Sequence, residues 1–218
     1  MKVTRTAPGL AVGGILVSAC LLLSACTTTT GGAASPAPSE SESSAPPTAS
    51  ADPEVPKVQA APLDVGKYAT DPCALVPAGV LTPLRYTDQG DYLPKGDAPD
   101  TAAGPSCRWK IRGEGIGLQV ILETGNRESG QGGLAGLYAA YRSGVLIKFL
   151  ERAPDIEGYP TIYVDISDRR ANGNCAIAVG VADDLSIGVS AEGYQGQDDS
   201  CGAATQAAAA AIKALKGA

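Results

Sequence analysis

The chain has 218 residues, of which 44% are hydrophobic and 18% charged, and its formal net charge is −6. This length suits one or two domains. The chain contains no histidine, which excludes Ser-His-Asp and Cys-His nucleophile activation and His-ligated zinc sites. Its acidic balance argues against nucleic acid or an anionic membrane surface as the main partner. We therefore expect no nucleic-acid partner.

The first 25 residues have the layout of an export signal. An apolar run covers residues 10–23, and the residues Leu-Ser-Ala-Cys close the segment at 23–26. These four residues resemble a bacterial lipobox, which implies that Cys26 is diacylated on its sulfur and becomes the N-terminus. Two acyl chains give stable anchoring, so we expect the protein to lie on the extracytoplasmic face of the cell membrane. An uncleaved anchor is disfavoured because the run has about 14 residues and a spanning helix needs about 20.

Residues 26–66 are rich in serine, threonine, proline, alanine and glutamate. Apolar side chains are few in such a composition, which predicts a disordered tether rather than part of a core. The tether is expected to hold a globular domain, residues 67–218, away from the membrane. Its serine, threonine and proline content is also compatible with O-glycosylation.

Four cysteines remain in the predicted domain, namely Cys73, Cys107, Cys175 and Cys201. Outside the cell, four thiols most simply form two disulfides, for which three connectivities exist. We favour 73–107 and 175–201 because each links neighbouring elements. A thiol or metal site is disfavoured by the absence of histidine and of CxxC spacing. We expect no metal site and no cofactor.

Alternating signals along the domain predict both helices and strands. Residues 107–112 alternate strictly, with Cys107, Trp109 and Ile111 on one face. In chain order the predicted elements are a short helix starting at Asp71-Pro72, a loop over 86–106, strands over 107–112 and 118–123, a helix over 134–142, strands over 147–152 and 161–166 around a turn at 154–158, two hairpin strands over 175–181 and 185–189, and a helix over 201–216. This order predicts an α+β domain with a mainly antiparallel sheet of about six strands and helices packed on it.

The last hairpin constrains its own loop. Apolar residues occupy alternate positions on both strands, at 177, 179 and 181 and at 185, 187 and 189. A two-residue turn at Asp183-Asp184 would place these two sets on opposite faces. A three-residue loop over 182–184 pairs Val181 with Leu185, so that both sets point inward. We predict the odd-length loop, with Asp184 in the left-handed region.

Several motifs occur together in this sequence. They are the lipobox at Cys26, Asp71-Pro72-Cys73-Ala74-Leu75, Cys107-x-Trp109, Gly158-Tyr159-Pro160, the Cys175 strand with its hairpin, and Cys201 opening an alanine-rich helix. In this order they resemble a known family, the actinobacterial lipoproteins grouped as domain of unknown function 3558. The resemblance spans roughly residues 68–217 and implies an envelope lipoprotein with two disulfides, but no catalytic residue or ligand. The order of elements is also similar to the α/β/α sandwich of PsbP/Mog1-like proteins.

Two groups of residues have the spacing of chemical sites but favour simpler interpretations. The sequence over residues 130–135 fits G-x-G-x-x-A before a helix, and we interpret it as a loop that caps that helix. The acids at 183–184, 192 and 198–199 lack EF-hand spacing and are interpreted as turn and capping residues. Nothing marks Glu114, Glu123 or Glu151 as the carboxylate pair of a glycosidase.

Arg108, Lys110 and Arg112 form a cationic stripe on one predicted strand. We interpret the stripe as a solvated sheet face, with a docking surface for an acidic wall polymer or protein as the alternative. Trp109 is predicted to pack in the core near a disulfide, and Tyr138 and Tyr141 to lie under the sheet rather than line a groove.

These observations favour a non-enzymatic binding or accessory module that is tethered to the membrane through Cys26. Its expected partners are the membrane and an unidentified envelope protein or wall polymer. Two alternatives remain open at this point. The first is a carrier of an apolar or lipid ligand, and the second is a carboxylate-based envelope hydrolase. No catalytic residue is assigned.

Overall fold

Seven antiparallel strands form one sheet in the computed structural model, which describes residues 54–96 and 101–217. The predicted α+β class is confirmed, with one strand more than expected. The strands are β1 (Asp91–Leu93), β2 (Ser106–Ile111), β3 (Ile116–Leu122), β4 (Phe149–Ile156), β5 (Tyr159–Asp165), β6 (Cys175–Ala182) and β7 (Leu185–Glu192). The helices are α1 (Ala78–Leu81), α2 (Thr124–Glu128), α3 (Gly133–Ser143) and α4 (Gln197–Lys216), with short 3-10 helices at Gly66–Tyr68, Pro72–Leu75 and Arg170–Asn172.

The strand order in the sheet is β1-β2-β3-β7-β6-β5-β4. Helices pack on both faces of the sheet. The long helix α4 packs on β3, β6 and β7 at one face. At the other face, Leu134 and Tyr138 of α3 form a separate small cluster with Ile162 and Ala178. The sheet is therefore a middle layer between two helices of very different length.

The main core lies between the sheet and α4. The buried side of α4 includes six alanine, isoleucine and leucine side chains at helical spacing. They are Ala204, Ala207, Ala208, Ala211, Ile212 and Leu215. Because alanine ends at Cβ, the helix backbone can approach the sheet closely. Trp109 is fully buried, as predicted.

The β6–β7 hairpin places both apolar sets on the core face, as predicted. Val179 pairs with Ile187, and Ile177 pairs with Val189. All four side chains are buried in the main core. A one-residue slip would turn one set toward the other face, so burial of both sets determines the register.

The extra residue of the hairpin lies in strand β6 and not, as predicted, in the loop. Ala182 pairs with Leu185 across the two-residue turn Asp183-Asp184, and Val181 is left unpaired in a β-bulge. The predicted three-residue loop, the Val181–Leu185 pair and the left-handed Asp184 are therefore wrong. A bulge adds one residue, as the longer loop would have done, so both apolar sets still face the core. Here it also keeps Val181 buried.

Both favoured disulfides are confirmed. Cys73 bonds to Cys107, which ties the 3-10 helix at Pro72–Leu75 to β2. Cys175 bonds to Cys201, which ties the start of β6 to the first turns of α4. Each bond joins two elements that already pack together in the core.

The folded region begins before residue 67, where the tether was predicted to end. Val65 is buried in the main core, and Val58 and Leu63 pack against it. The Leu63 N–H donates to the Val181 carbonyl at 2.9 Å, and the Tyr159 hydroxyl donates to the Ala61 carbonyl at 2.7 Å. Composition suggested a tether here because the few apolar residues of this stretch are widely spaced. They nevertheless suffice for an extended segment that lies on an existing core.

Other differences concern boundaries. The predicted loop over 86–106 contains β1, and α2 was not predicted. Strand β4 continues through residues 154–156, where a turn was expected, because a register shift accommodates the irregularity. Helix α4 begins at Gln197 rather than Cys201.

The predicted signal segment, Cys26 and most of the predicted tether lie outside the described residues. Within the described ranges, no helix combines the length and the apolar character needed to cross a membrane.

Candidate functional site

Helix α3 covers only part of the sheet face that is opposite α4. We call the remainder the open face. It is formed by outward-pointing residues of β2, β3, β7 and β6, with α3 and residues 145–147 along one side. Two adjoining grooves lie on it, with volumes of about 500 and 350 Å³. These grooves are the candidate site.

The first groove contains the predicted cationic stripe, and we call it the cationic end. Arg108, Lys110 and Arg112 line it together with Glu192. Arg108 donates to Gln119 Oε1 at 3.4 Å. Among residues 54–96 and 101–217, none of the three cations forms an ion pair with a carboxylate. Asp91 of β1 is directly opposite Arg108, and Glu192 lies in the groove. Three positive charges thus lie beside two negative charges without pairing with either, so this end keeps a net positive charge that attracts anions.

Glu192 does not neutralise Lys110. Lys110 is opposite Gly117, and Gly117 is opposite Glu192, so the lysine and the glutamate are two strands apart. At the usual strand spacing this separation is about 10 Å. Because Gly117 has no side chain, the sheet backbone between the two charges is accessible from above.

The second groove is mainly apolar, and we call it the apolar end. Ile121, Leu137 and Val164 line it, together with Leu146 and Ile166. Leu146 is 72% exposed and Ile166 is 59% exposed. A soluble domain gains nothing from holding two such side chains in water, so a cluster of them beside a groove indicates a contact surface.

The two grooves form one continuous surface. Gln119 and Ser190 line both of them. Between the ends, the half-exposed floor consists of Gly117, Ser190 and Ala176, with Gln119 and Ile121 beside them. From β2 to β5 the open face spans four strand spacings, or about 19 Å. The face therefore presents cations at one end, apolar side chains at the other and mostly small residues between them.

One ionisable group is buried beside the apolar end. Glu123 follows β3 and is 9% exposed. Its carboxyl group accepts a hydrogen bond from the Ser186 hydroxyl, and Asn126 also bonds to it. Burial raises the pKa of Glu123 because the charged form loses its hydration. The hydrogen bonds oppose this shift without cancelling it.

Residues 21–214 match the family described as "Protein of unknown function (DUF3558)". The chain belongs to the DUF3558 family. No curated protein and no solved structure matches the chain. The open face of this DUF3558 domain must therefore be interpreted from its own residues.

The DUF3558 domain keeps the three candidate glycosidase carboxylates apart. Glu114 is in the β2–β3 turn and Glu123 is at the far end of β3, about 20 Å away at 3.3 Å per residue. Glu151 lies on the edge strand β4 and pairs with Arg170. Glycosidase carboxylates are about 5–10 Å apart, so the first two do not form such a pair.

The interpretation of the remaining acids as turn and capping residues is correct only in part. Asp183 and Asp184 form the β6–β7 turn, and Asp184 pairs with Arg127 of α2 at 2.6 Å. Asp198 and Asp199 lie in the first turn of α4, where negative charge complements the helix dipole, but the N-cap is Gly196. Glu192 is the last residue of β7 and lines the first groove, so its interpretation as a turn or capping residue is wrong.

The glycine-rich sequence over 130–135 positions α3 rather than a nucleotide. Gly132 is the N-cap of α3, as the capping interpretation predicted. Its Cβ, if present, would lie 2.1 Å from the Asp184 carbonyl oxygen, and that of Gly133 would lie 2.3 Å from the Asp183 oxygen. The start of α3 therefore rests directly on the backbone of the β6–β7 turn.

The two tyrosines of α3 have different environments. Tyr138 is buried against the sheet, as predicted, whereas Tyr141 is 39% exposed. The prediction for Tyr141 is wrong, and this residue lies in the last turn of α3. The prediction for the cationic stripe is confirmed in that its side chains lie on an uncovered sheet face.

The apolar end was not predicted from the sequence. Leu146 and Ile166 are separated by 20 positions, and neither belongs to an alternating pattern that marks an exposed face. The burial of Glu123 was also not predicted. The available signal was weak, namely a carboxylate directly after the apolar positions of β3.

Proposed function

We propose that this DUF3558 protein is a non-catalytic binding module, held on the extracytoplasmic face of the membrane through Cys26, that binds an anionic component of the cell envelope at the open face. The observation that supports this proposal is the set of three cations without carboxylate partners at the cationic end. By contrast, five other arginines of the described residues form ion pairs with carboxylates, namely Arg85, Arg127, Arg152, Arg169 and Arg170. Arg108, Lys110 and Arg112 are therefore available for a partner.

A non-catalytic role is supported by the separation of the candidate carboxylates and by the absence of histidine from the sequence. The rigid setting of the face also fits binding rather than turnover. Two disulfides tie strands of this sheet to neighbouring helices, so the backbone that carries the cations loses little conformational entropy on binding.

A photo-crosslinking amino acid at position 110, compared with the same group at position 205, tests the binding role in intact cells. Lys110 is on the open face, whereas Thr205 is exposed on α4. We expect a reproducible adduct of defined mass from position 110 and none from position 205. Equal labelling from both positions, or no adduct from either, would contradict a binding role for the open face.

Membrane anchoring is tested separately. Intact-mass analysis of the native protein should show a diacylated Cys26 as the N-terminus, and Cys26→Ala should release the domain from the membrane fraction. An unmodified N-terminus in the native protein would refute the anchor without affecting the open-face proposal.

A further inference from the structure

The open face has two chemically different ends, and a ligand that uses both must have the same polarity. We propose that the open face binds single molecules of an anionic amphiphile, with a phosphate-type head group at the cationic end and a hydrocarbon chain along the floor to the apolar end. This inference rests on the proposed binding function and names the class of ligand.

The head-group assignment follows from charge complementarity. Arg108 and Lys110 project from the same side of β2, two positions apart. Arg112 lies in the turn directly after β2 and lines the same groove. A guanidinium and an ammonium at this spacing can contact different oxygens of one phosphate. The chain as a whole carries a net charge of −6, so three cations without carboxylate partners on one face are a local exception.

The chain assignment follows from the floor and the apolar end. Ala176 and Ser190 are small, half-exposed floor residues, and Ile121 covers Gly188 beside them. An extended hydrocarbon chain can lie on these small residues against Ile121 and reach Leu146 and Ile166, which are otherwise largely in water. Each buried methylene contributes about 0.8 kcal/mol, so even a few would strengthen binding markedly.

An acidic polymer and a bilayer surface explain the face less well. A polymer of charges would contact the cationic end and leave the apolar end in water. A bilayer of anionic lipids would meet the acidic remainder of the domain, which its surface potential repels. A single molecule meets only the groove, and it uses both ends.

The test uses residues 27–218 with both disulfides formed. This polypeptide lacks Cys26, so it carries no acyl chain of its own that could occupy the groove. Calorimetric titration compares three probes below their critical micelle concentrations. Dodecyl phosphate carries both the charged head and the chain. Inorganic phosphate carries only the charge, and dodecyl maltoside carries the chain with a neutral head. We expect dodecyl phosphate to bind with one-to-one stoichiometry and at least about tenfold more tightly than either of the others.

Matched variants separate the two ends. Arg108→Gln with Lys110→Gln should weaken dodecyl phosphate binding at least about tenfold and leave dodecyl maltoside unaffected. Leu146→Ser with Ile166→Ser should weaken dodecyl phosphate and leave inorganic phosphate unaffected. All four side chains are at least partly exposed, so folding should be retained, and circular dichroism checks this. Lys57→Gln with Lys67→Gln removes the same charge outside the groove and should leave all binding unchanged.

Several results would overturn the inference. Equal binding of inorganic phosphate would reduce the face to an anion site, and equal binding of dodecyl maltoside would reduce it to an apolar one. If Lys57→Gln with Lys67→Gln weakened dodecyl phosphate binding as much as Arg108→Gln with Lys110→Gln, the binding would depend only on long-range electrostatics. Binding to phosphatidylglycerol vesicles without binding of monomeric dodecyl phosphate would indicate a membrane-docking surface. If no probe binds but position 110 still cross-links to a protein or polymer in cells, the proposed function stands and the amphiphile is refuted.

Discussion

The Glu123 carboxyl group and the Ser186 hydroxyl form a hydrogen bond inside the protein, where the end of β3 meets the start of β7. Ser186 is fully buried and Glu123 nearly so. The main chain repeats the connection, since the Glu123 N–H donates to the Ser186 carbonyl at 3.2 Å. The pair thus joins two strands beside the apolar end of the open face, and it does so with a carboxyl group whose pKa is raised by burial.

This pair gives the stability of the domain a pH dependence. The pKa of Glu123 is higher in the folded protein than its ordinary value of 4.5. The folded state therefore binds the proton more tightly, and stability falls as the pH rises from 4.5 towards the folded pKa, by up to about 1.4 kcal/mol per pH unit. Glu123→Gln stays neutral and should lack this fall. Urea unfolding from pH 4 to pH 8 measures the difference.

The exposed residue Glu192 provides the control for this experiment. Glu192→Gln should keep the pH profile of the unaltered protein, because its carboxylate is exposed to solvent. If the free energy of unfolding changed with pH in the same way for the unaltered protein and for Glu123→Gln, burial would not raise the pKa of Glu123.

Each disulfide should contribute a separate part of the stability. The bonds close segments with separations of 34 and 26 residues, for which the chain-entropy model gives about 3–4 kcal/mol each. Cys73→Ala with Cys107→Ala, and Cys175→Ala with Cys201→Ala, should each lower the free energy of unfolding by about this amount. Urea denaturation measures the loss, and mass spectrometry after alkylation checks that the remaining bond is intact. A loss below about 1 kcal/mol for either pair would contradict the entropic account.

The start of α3 should tolerate no side chain at Gly133. Gly130 and Gly133 both have positive φ, at 72° and 67°. An added Cβ meets nothing within 4 Å at Gly130, but at Gly133 it would lie 2.3 Å from the Asp183 oxygen. Gly130→Ala should therefore cost only the backbone strain of about 1–2 kcal/mol. Gly133→Ala should cost clearly more, and thermal unfolding of the two variants compares them directly. Equal costs would mean that α3 shifts away from the turn without penalty.

The boundary of the folded region can be tested by truncation. A chain that begins at residue 54 should be as stable as one that begins at residue 27. A chain that begins at residue 67 loses the buried Val65 and the hydrogen bonds to Val181 and Tyr159. We expect it to be less stable by at least about 2 kcal/mol, as measured by urea unfolding. Equal stability of all three chains would restore the boundary predicted from composition.

Much of this architecture was predictable because its signals are local. Alternation over residues 107–112 identifies a strand with one buried face, and the spacing of small and apolar residues identifies the buried side of α4. The disulfide pairing followed from neighbouring elements. The sequence also predicted that both apolar sets of the last hairpin face the core, since only one alignment buries both Val179 and Ile187.

Other features had no local signal. A longer loop and a bulge both keep the two apolar sets of the last hairpin on the core face, so the position of Val181 depended on the packing around it. The segment before residue 67 is ordered only because a core already exists for Val65 to enter. Tyr141 shares the helical spacing of Tyr138, yet it lies in the last turn of α3 and remains 39% exposed.

The sequence by itself determined which residues face the core, where the disulfides form and that three cations share one side of a strand. These follow from periodicity and from the chemistry of single residues. Only the tertiary structure decided that Lys110 and Leu146 lie on one continuous surface and that Glu123 is buried. The strand order brings β2 and β3 beside β7 and β6, and α3 stops short of covering them. Such neighbours are far apart in the chain, so their association depends on how whole elements pack rather than on any local pattern.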